Sequence, residues 1–148
     1  ANKYGGHARW RSSLIQEVTR TGGLQVVTGR KYIGFRKNGQ LDIAKIFNYP
    51  VQGLGHDLMA IVRCSLRQRI LKKKLQSLLV STVHDSVLLD CIPEETQTVC
   101  KLIFQVFEDV PMNFEKIFKV LFDLPLRVEV KIGPDWGNMQ EIHQEMLE

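Results

Sequence analysis

The chain has 148 residues, 44% of them hydrophobic and 24% charged, and carries a net charge of +4 from 20 Lys and Arg against 16 Asp and Glu. That is the size of one domain, able to bury roughly 68–70% of its unfolded surface, with the composition of a soluble globular protein. No apolar stretch approaches the roughly 18 residues of a membrane span, and the first residues, "ANKYGGHARWR", lack a signal-peptide core; the expected location is cytoplasmic. The three cysteines, Cys64, Cys91 and Cys100, form no C-x-x-C pair, so zinc is not indicated and reduced thiols are expected. A first residue of Ala rather than Met hints at processing or truncation, although a designed boundary would look the same.

Residues from about 7 to 21 read as a helix with Trp10, Leu14, Ile15 and Val18 on one side, stopped by Gly22 and Gly23. "LQVVTGRKYIGF" reads as a hairpin around a Thr-Gly turn, and Asn38-Gly39 marks a second turn. The longest helix is expected over about 50 to 75, with Pro50 in its first turn and an apolar stripe from Leu54 to Leu71. Two strands, "SLLVSTV" and "SVLLDCI", meet at His84-Asp85. A helix opens at Pro93 with Glu94 and Glu95 and runs to about 109. Pro111 is expected to break it, a short helix reaches about 122, and "PLRVEVKIG" alternates as a last strand, with Trp136 expected to pin its end. The order implies an α+β fold with a largely antiparallel sheet covered on one face by helices.

The chemistry concentrates at a few places. Asp85 sits at a strand end in a tight turn, where a carboxylate projects from a rigid platform as metal-dependent catalysis requires, although Asp is also a common turn residue. Magnesium takes one or two protein carboxylates and fills its octahedron with phosphate and water. Asn48 and Gln52 are four apart, so both amides can face the minor groove, whose acceptors every base pair offers; simple capping by Asn48 is the plainer alternative. Arg30 and Lys31 crown the Thr-Gly turn as phosphate contacts or as a solvated tip. Six basic residues lie between Arg63 and Lys74 and fit either phosphates or a solvated helix face. His56-Asp57, with His7 upstream, raises a rival reading, a His-Asp metal phosphohydrolase; that family is all-helical, and this chain is rich in strands.

Taken together, "TGGLQVVTGRKY", "NYPVQGLGHDLMAI", "STVHDSVLLDCIPEE" and "PLRVEVKIGPDWGNM" resemble, in order and spacing, the C-terminal palm of family A DNA polymerases, the relatives of bacterial DNA polymerase I, and especially their phage branch. The likeness runs from about Tyr4 to Asn138. It implies that Asp85 is the aspartate of motif C, a ligand of two catalytic magnesium ions, and that His84 lies beside the primer terminus. It implies that Asn48 and Gln52 touch the minor groove, that Arg30 lies near the nucleic-acid backbone, and that Asp57 is mainly structural. Two departures stand out: Ser86 occupies the place where the family often has Glu, and Ala44 the place where many members carry Arg, with Lys45 next to it.

No stretch matches the family's other metal-binding aspartate, its fingers nucleotide-binding helix, its thumb or its exonuclease. The chain therefore reads as an incomplete polymerase palm, with a helix and hairpin over 1–40 leading from the fingers and the palm with motif C over 41–148. Its expected partners are primer–template DNA, dNTP and a complementary N-terminal polypeptide that supplies the second carboxylate. The setting is a bacterial or phage-infected cell, and the isolated chain is expected to be inactive. The alternative is a non-catalytic primer–template-binding module.

Overall fold

A computed structural model describes residues 4–147. It contains three α-helices and eight short strands in two compact units, Ala1–Asp57 and Leu58–Glu148. The strands pair as four separate two-stranded antiparallel sheets, so the α+β class holds while the strands form hairpins rather than one continuous sheet.

In the first unit, α1 (Gly5–Thr21) ends at Gly22, whose φ of 77° lets its N–H reach the Val18 carbonyl at 2.9 Å. A left-handed residue in that place closes a helix, and glycine takes it without steric cost. β1 (Gly23–Gln25) pairs with β2 (Lys31–Ile33) around a five-residue loop, residues 26–30. β3 (Arg36–Lys37) and β4 (Gln40–Leu41) flank Asn38-Gly39, both at positive φ, which is the turn that dipeptide predicts.

The long helix, α2 (Ile43–Lys72), starts seven residues before the expected position. Asp42 caps it: its carboxylate accepts the Lys45 N–H at 3.2 Å, and its carbonyl accepts the Ile46 N–H at 3.1 Å. Pro50 consequently lies inside the helix, where it removes the bond to the Ile46 carbonyl. Fully buried Ile46 helps to offset that loss, packing with Val18, Leu24 and Phe35 in the core of this unit.

In the second unit, Met59, Val62, Leu66 and Ile70 recur at helical spacing and pack against Leu102, Val106 and Val110 of α3 (Thr96–Phe118). α2 closes at Lys74, which takes φ 57°, with the Leu75 N–H on the Ile70 carbonyl and the Lys74 N–H on the Leu71 carbonyl. That is a Schellman closure built without glycine. Pro111 does not break α3. Burial of Val110 and Phe114 on either side of it carries the helix through to Phe118, and residues 119–122 lie outside it. Tertiary packing here outweighs a local cost of about 3 kcal/mol.

β5 (Leu78–Val83) and β6 (Ser86–Asp90) form a hairpin whose register slips at Val80. The extra residue keeps Leu79 and Thr82 opposite Leu89 and Val87. Glu95 joins the foot of this hairpin to the start of α3. Its carboxylate accepts the N–H groups of Gln76 and Ser77 and the Ser77 hydroxyl, and the hydroxyl oxygen in turn accepts the Ile92 N–H.

Only the end of the expected last strand is laddered. β7 (Val130–Ile132) pairs with β8 (Gln140–Ile142), a strand with no signal in the sequence. Gly133 makes this return possible, because a Cβ there would overlap the Asn138 carbonyl. The turn between the strands is held by Asp135, which accepts the Gly137 and Asn138 N–H groups at 2.8 and 3.0 Å. Trp136 is 63% exposed and lies in the turn between β7 and β8 rather than in a buried cluster.

Candidate functional site

Asp85 and His84 are the whole of the two-residue turn between Val83 and Ser86, which face each other as the last pair of the β5–β6 ladder. His84 takes φ 54°, in the left-handed region that histidine tolerates better than most side chains. Both residues are exposed. The Ser86 hydroxyl donates to the Val83 carbonyl at 2.8 Å, so Ser86 braces the turn.

Asp85 opens onto a groove of about 1210 Å³ lined by β6 and by Arg127–Trp136, with apolar Met59 and Val62 contributing. β6 pairs only with β5 among the described residues, so its second edge carries no ladder. Magnesium accepts a single protein carboxylate when phosphate and water complete its shell, and exposed Asp85 fits that part. Among the described residues no group of three or more His, Cys, Asp and Glu could hold a metal ion.

The second constellation lies in the first unit. Asn48 and Gln52 are exposed one turn apart on α2, and Lys45 precedes Asn48 by three residues, so the three share a helix face. Gly53, next to Gln52, is buried under β2. A Cβ there would overlap the Tyr32 phenol oxygen and lie 2.8 Å from Cζ. The glycine of the "NYPVQG" stretch is thus a packing requirement that lets β2 approach the helix. The Tyr32 hydroxyl is buried without a hydrogen-bond partner.

Asp57 anchors the loop that carries Arg30. Its Oδ2 accepts the Thr28 hydroxyl at 2.6 Å, and both oxygens accept the Arg30 guanidinium in a two-pronged ion pair. Burial pushes the Asp57 carboxyl up, but hydrogen bonds from Arg30 and Thr28 and the charge of Arg30 outweigh it and hold the pKa below its ordinary 3.8. With its oxygens taken in this way, Asp57 has the part of a structural acid, and the His56-Asp57 phosphohydrolase reading finds no support in its surroundings. Lys31, in β2, is exposed beside this anchored loop.

The basic run on α2 is divided by its contacts. Arg63 donates to the Thr82 hydroxyl at 3.4 Å and Arg69 pairs with Asp109, while Arg67 and Lys72 to Lys74 are exposed. Part of that charge therefore ties α2 to β5 and α3.

Residues 1–138 match the model of the family described as DNA polymerase family A. The chain belongs to that family. It is 32% identical over 101 residues to the DNA polymerase of Bacillus phage SP01, covering 68% of this chain and 11% of that enzyme. It is 30% identical over 139 residues to the thermostable DNA polymerase I of Thermus aquaticus, covering 89% of this chain and 15% of that one. In fold it matches the polymerase domain of Pol1 from M. smegmatis, solved with DNA primer-template and dNTP, with a TM-score of 0.67 at 22% identity. That match covers 85% of this chain and 22% of that one. This family A chain thus spans a small part of the relatives it resembles.

Three features of this family A chain left little trace in the sequence. Thr28 gives no sign of its bond to Asp57, 29 residues away. Glu95 reads as a helix-start acid and instead clasps the Gln76–Ser77 backbone. The bulk of Tyr32 over Gly53 had one available signal, a glycine inside a helical pattern. No helix among the described residues is long and apolar enough to cross a membrane.

Proposed function

We propose that this chain is the C-terminal palm portion of a DNA-directed DNA polymerase. In this reading it supplies one metal-binding carboxylate and the duplex grip for template-directed nucleotide addition. The observation that carries the reading is the family match across residues 1–138 together with Asp85 presented at an exposed hairpin turn on an open groove.

Asp85 would hold magnesium, with a second carboxylate from polypeptide outside this sequence. When bound there, the two ions would supply Lewis-acid activation of the primer 3′-hydroxyl and charge neutralisation for the leaving pyrophosphate. His84, fixed beside Asp85 by the turn, positions the primer end. Asn48 and Gln52 donate to the minor-groove acceptors that every base pair shares, and so test duplex geometry without reading sequence. Lys31, Lys45 and the part of the Arg30 guanidinium not engaged by Asp57 lie against phosphates. The partners are primer–template DNA, dNTP and an N-terminal polymerase polypeptide. The unpaired edge of β6 beside the groove is where an extended segment of that polypeptide would add its hydrogen bonds. The setting is the cytoplasm of a bacterial or phage-infected cell.

Primer extension, with the chain mixed with an upstream polymerase polypeptide and magnesium, tests the reading. Extension is expected from the mixture only, with Asp85→Ala lowering it by about 10²–10³-fold, the order that loss of a principal charge-stabilising group produces. Duplex affinity should change less than twofold. Extension that survives Asp85→Ala, or a mixture that binds DNA and never extends it, would replace this reading with that of a non-catalytic primer–template-binding module.

A further inference from the structure

The first unit carries an aromatic ladder that the minor-groove reading does not use. His7 and Trp10 lie three residues apart on α1 with ring centroids 5.9 Å apart, and Trp10 stands 6.3 Å from Phe47 of α2, the residue before Asn48. The Arg11 guanidinium lies 4.2 Å from the centre of the Phe47 ring. Packing does not account for the outer part of this ladder. The buried cluster of this unit is Val18, Leu24, Phe35 and Ile46, with Leu14, Ile15 and Phe47 against it, and Trp10 stands outside it, 37% exposed.

Charge is distributed to match. Residues 1–57 hold nine Lys and Arg against three acidic residues, and 58–148 hold eleven against thirteen, giving +6 and −2 for a total of +4. α1 itself bears Arg9, Arg11 and Arg20 against Glu17 alone. Exposed aromatic rings between cations on a positive unit are what a single-stranded nucleic acid recognises: phosphates follow the cations, and unpaired bases stack on the rings. A base pair inside a duplex is stacked on both sides and offers the ring no face, so that only the two end pairs of a blunt duplex could do so.

We infer that Trp10, flanked by His7, Phe47 and Arg11, is a stacking platform for an unpaired base of a nucleic-acid strand, a contact additional to the minor-groove grip of Asn48 and Gln52. It rests on the family reading only for the identity of that strand, the single-stranded extension of a primer–template.

In a Trp136→Phe background Trp10 is the sole tryptophan, so its fluorescence reports stacking directly. The full chain is titrated with oligo-dT, with a primer–template bearing a 5′ overhang, and with a long blunt duplex, in which the two open end pairs are a negligible share of the sites. Quenching is expected with oligo-dT and with the overhang, and not with the blunt duplex. Trp10→Leu, which keeps apolar bulk, should weaken overhang binding about tenfold, the order of one lost base–aromatic stack, and leave blunt-duplex binding and the melting temperature unchanged. Absence of quenching at saturating oligo-dT, or equal weakening on overhang and blunt duplex by Trp10→Leu, overturns the inference. A failure of blunt-duplex binding with quenching intact would count against the minor-groove reading and in favour of the platform.

Discussion

At the scale of single residues, the carboxylates set the response to acid. Asp57, Glu95 and Asp135 all have pKa values below the ordinary range. Asp57 is lowered against its own burial by Arg30 and Thr28, Glu95 by the Ser77 hydroxyl and the Gln76 and Ser77 N–H groups, and Asp135 by Asn138 and Gly137. A depressed folded pKa means that the unfolded chain binds the proton first, so stability rises with pH across that window. These contributions are complete above the ordinary carboxylate values of 3.8 and 4.5 and are lost as pH falls through the lower folded values. Melting temperature should therefore be level above about pH 5.5 and fall modestly below pH 4, and Glu95→Gln should make that fall shallower while lowering the melting temperature at pH 7. At the same scale, Arg30→Gln should cost more stability than Asp57→Asn, because it strands a carboxylate whose side chain is 10% exposed, whereas Arg30 is 48% exposed. Chemical denaturation of the two variants ranks them. Asp85, His84, Asn48 and Gln52 were singled out by the ordered set of family-like motifs, since their types and spacing alone fit an ordinary turn and a helix cap equally well. The Asp57 anchor was not legible, since a bond across 27 or 29 residues has no local pattern.

Elements show where local rules yield to packing. α2 and α3 each contain a proline that propensity alone would place at a boundary, and each continues because buried side chains flank it: Ile46 at 0% exposure before Pro50, and Val110 at 0% and Phe114 at 1% around Pro111. The helices, the first two hairpin turns and the His84-Asp85 hairpin were legible from periodicity and turn chemistry. β8 was not, because "QEI" has neither length nor alternation and exists only as the partner of β7. Gly53→Ala tests the closest approach between elements. The new Cβ collides with Tyr32, and overpacking of this kind costs about 1–3 kcal/mol. Tyr32→Phe should be neutral or stabilising, since it removes an unpartnered buried hydroxyl, and it should reduce the cost of Gly53→Ala. A double-mutant cycle read by denaturant midpoints measures the coupling. Val106→Ala, in the α2–α3 core, should cost about 2–4 kcal/mol by opening a cavity.

For the molecule as a whole, the division of charge decides how it meets a polyanion. With +6 on residues 1–57 and −2 on 58–148, the salt dependence of DNA binding should come from the first unit. Lys31→Gln and Lys45→Gln are each expected to lower the slope of log affinity against log salt by about 1. Neutralising Arg69, which is held by Asp109, should leave the slope unchanged. Binding isotherms between 50 and 200 mM salt distinguish the two. The net charge of +4 conceals this polarity, and a reading of composition alone ranks the Arg63–Lys74 run above the residues that carry the excess.

The Glu95 clasp has a consequence for the time domain. The backbone amides of Gln76 and Ser77 are tethered to a carboxylate rather than to a carbonyl, so their protection from solvent exchange is set by a titrating group. Acidification through the Glu95 pKa should accelerate deuterium uptake at these two positions relative to neighbouring ladder amides, ahead of any global unfolding. Residues 76 and 77 thereby serve as an internal clock for the loosening of the hairpin that presents Asp85.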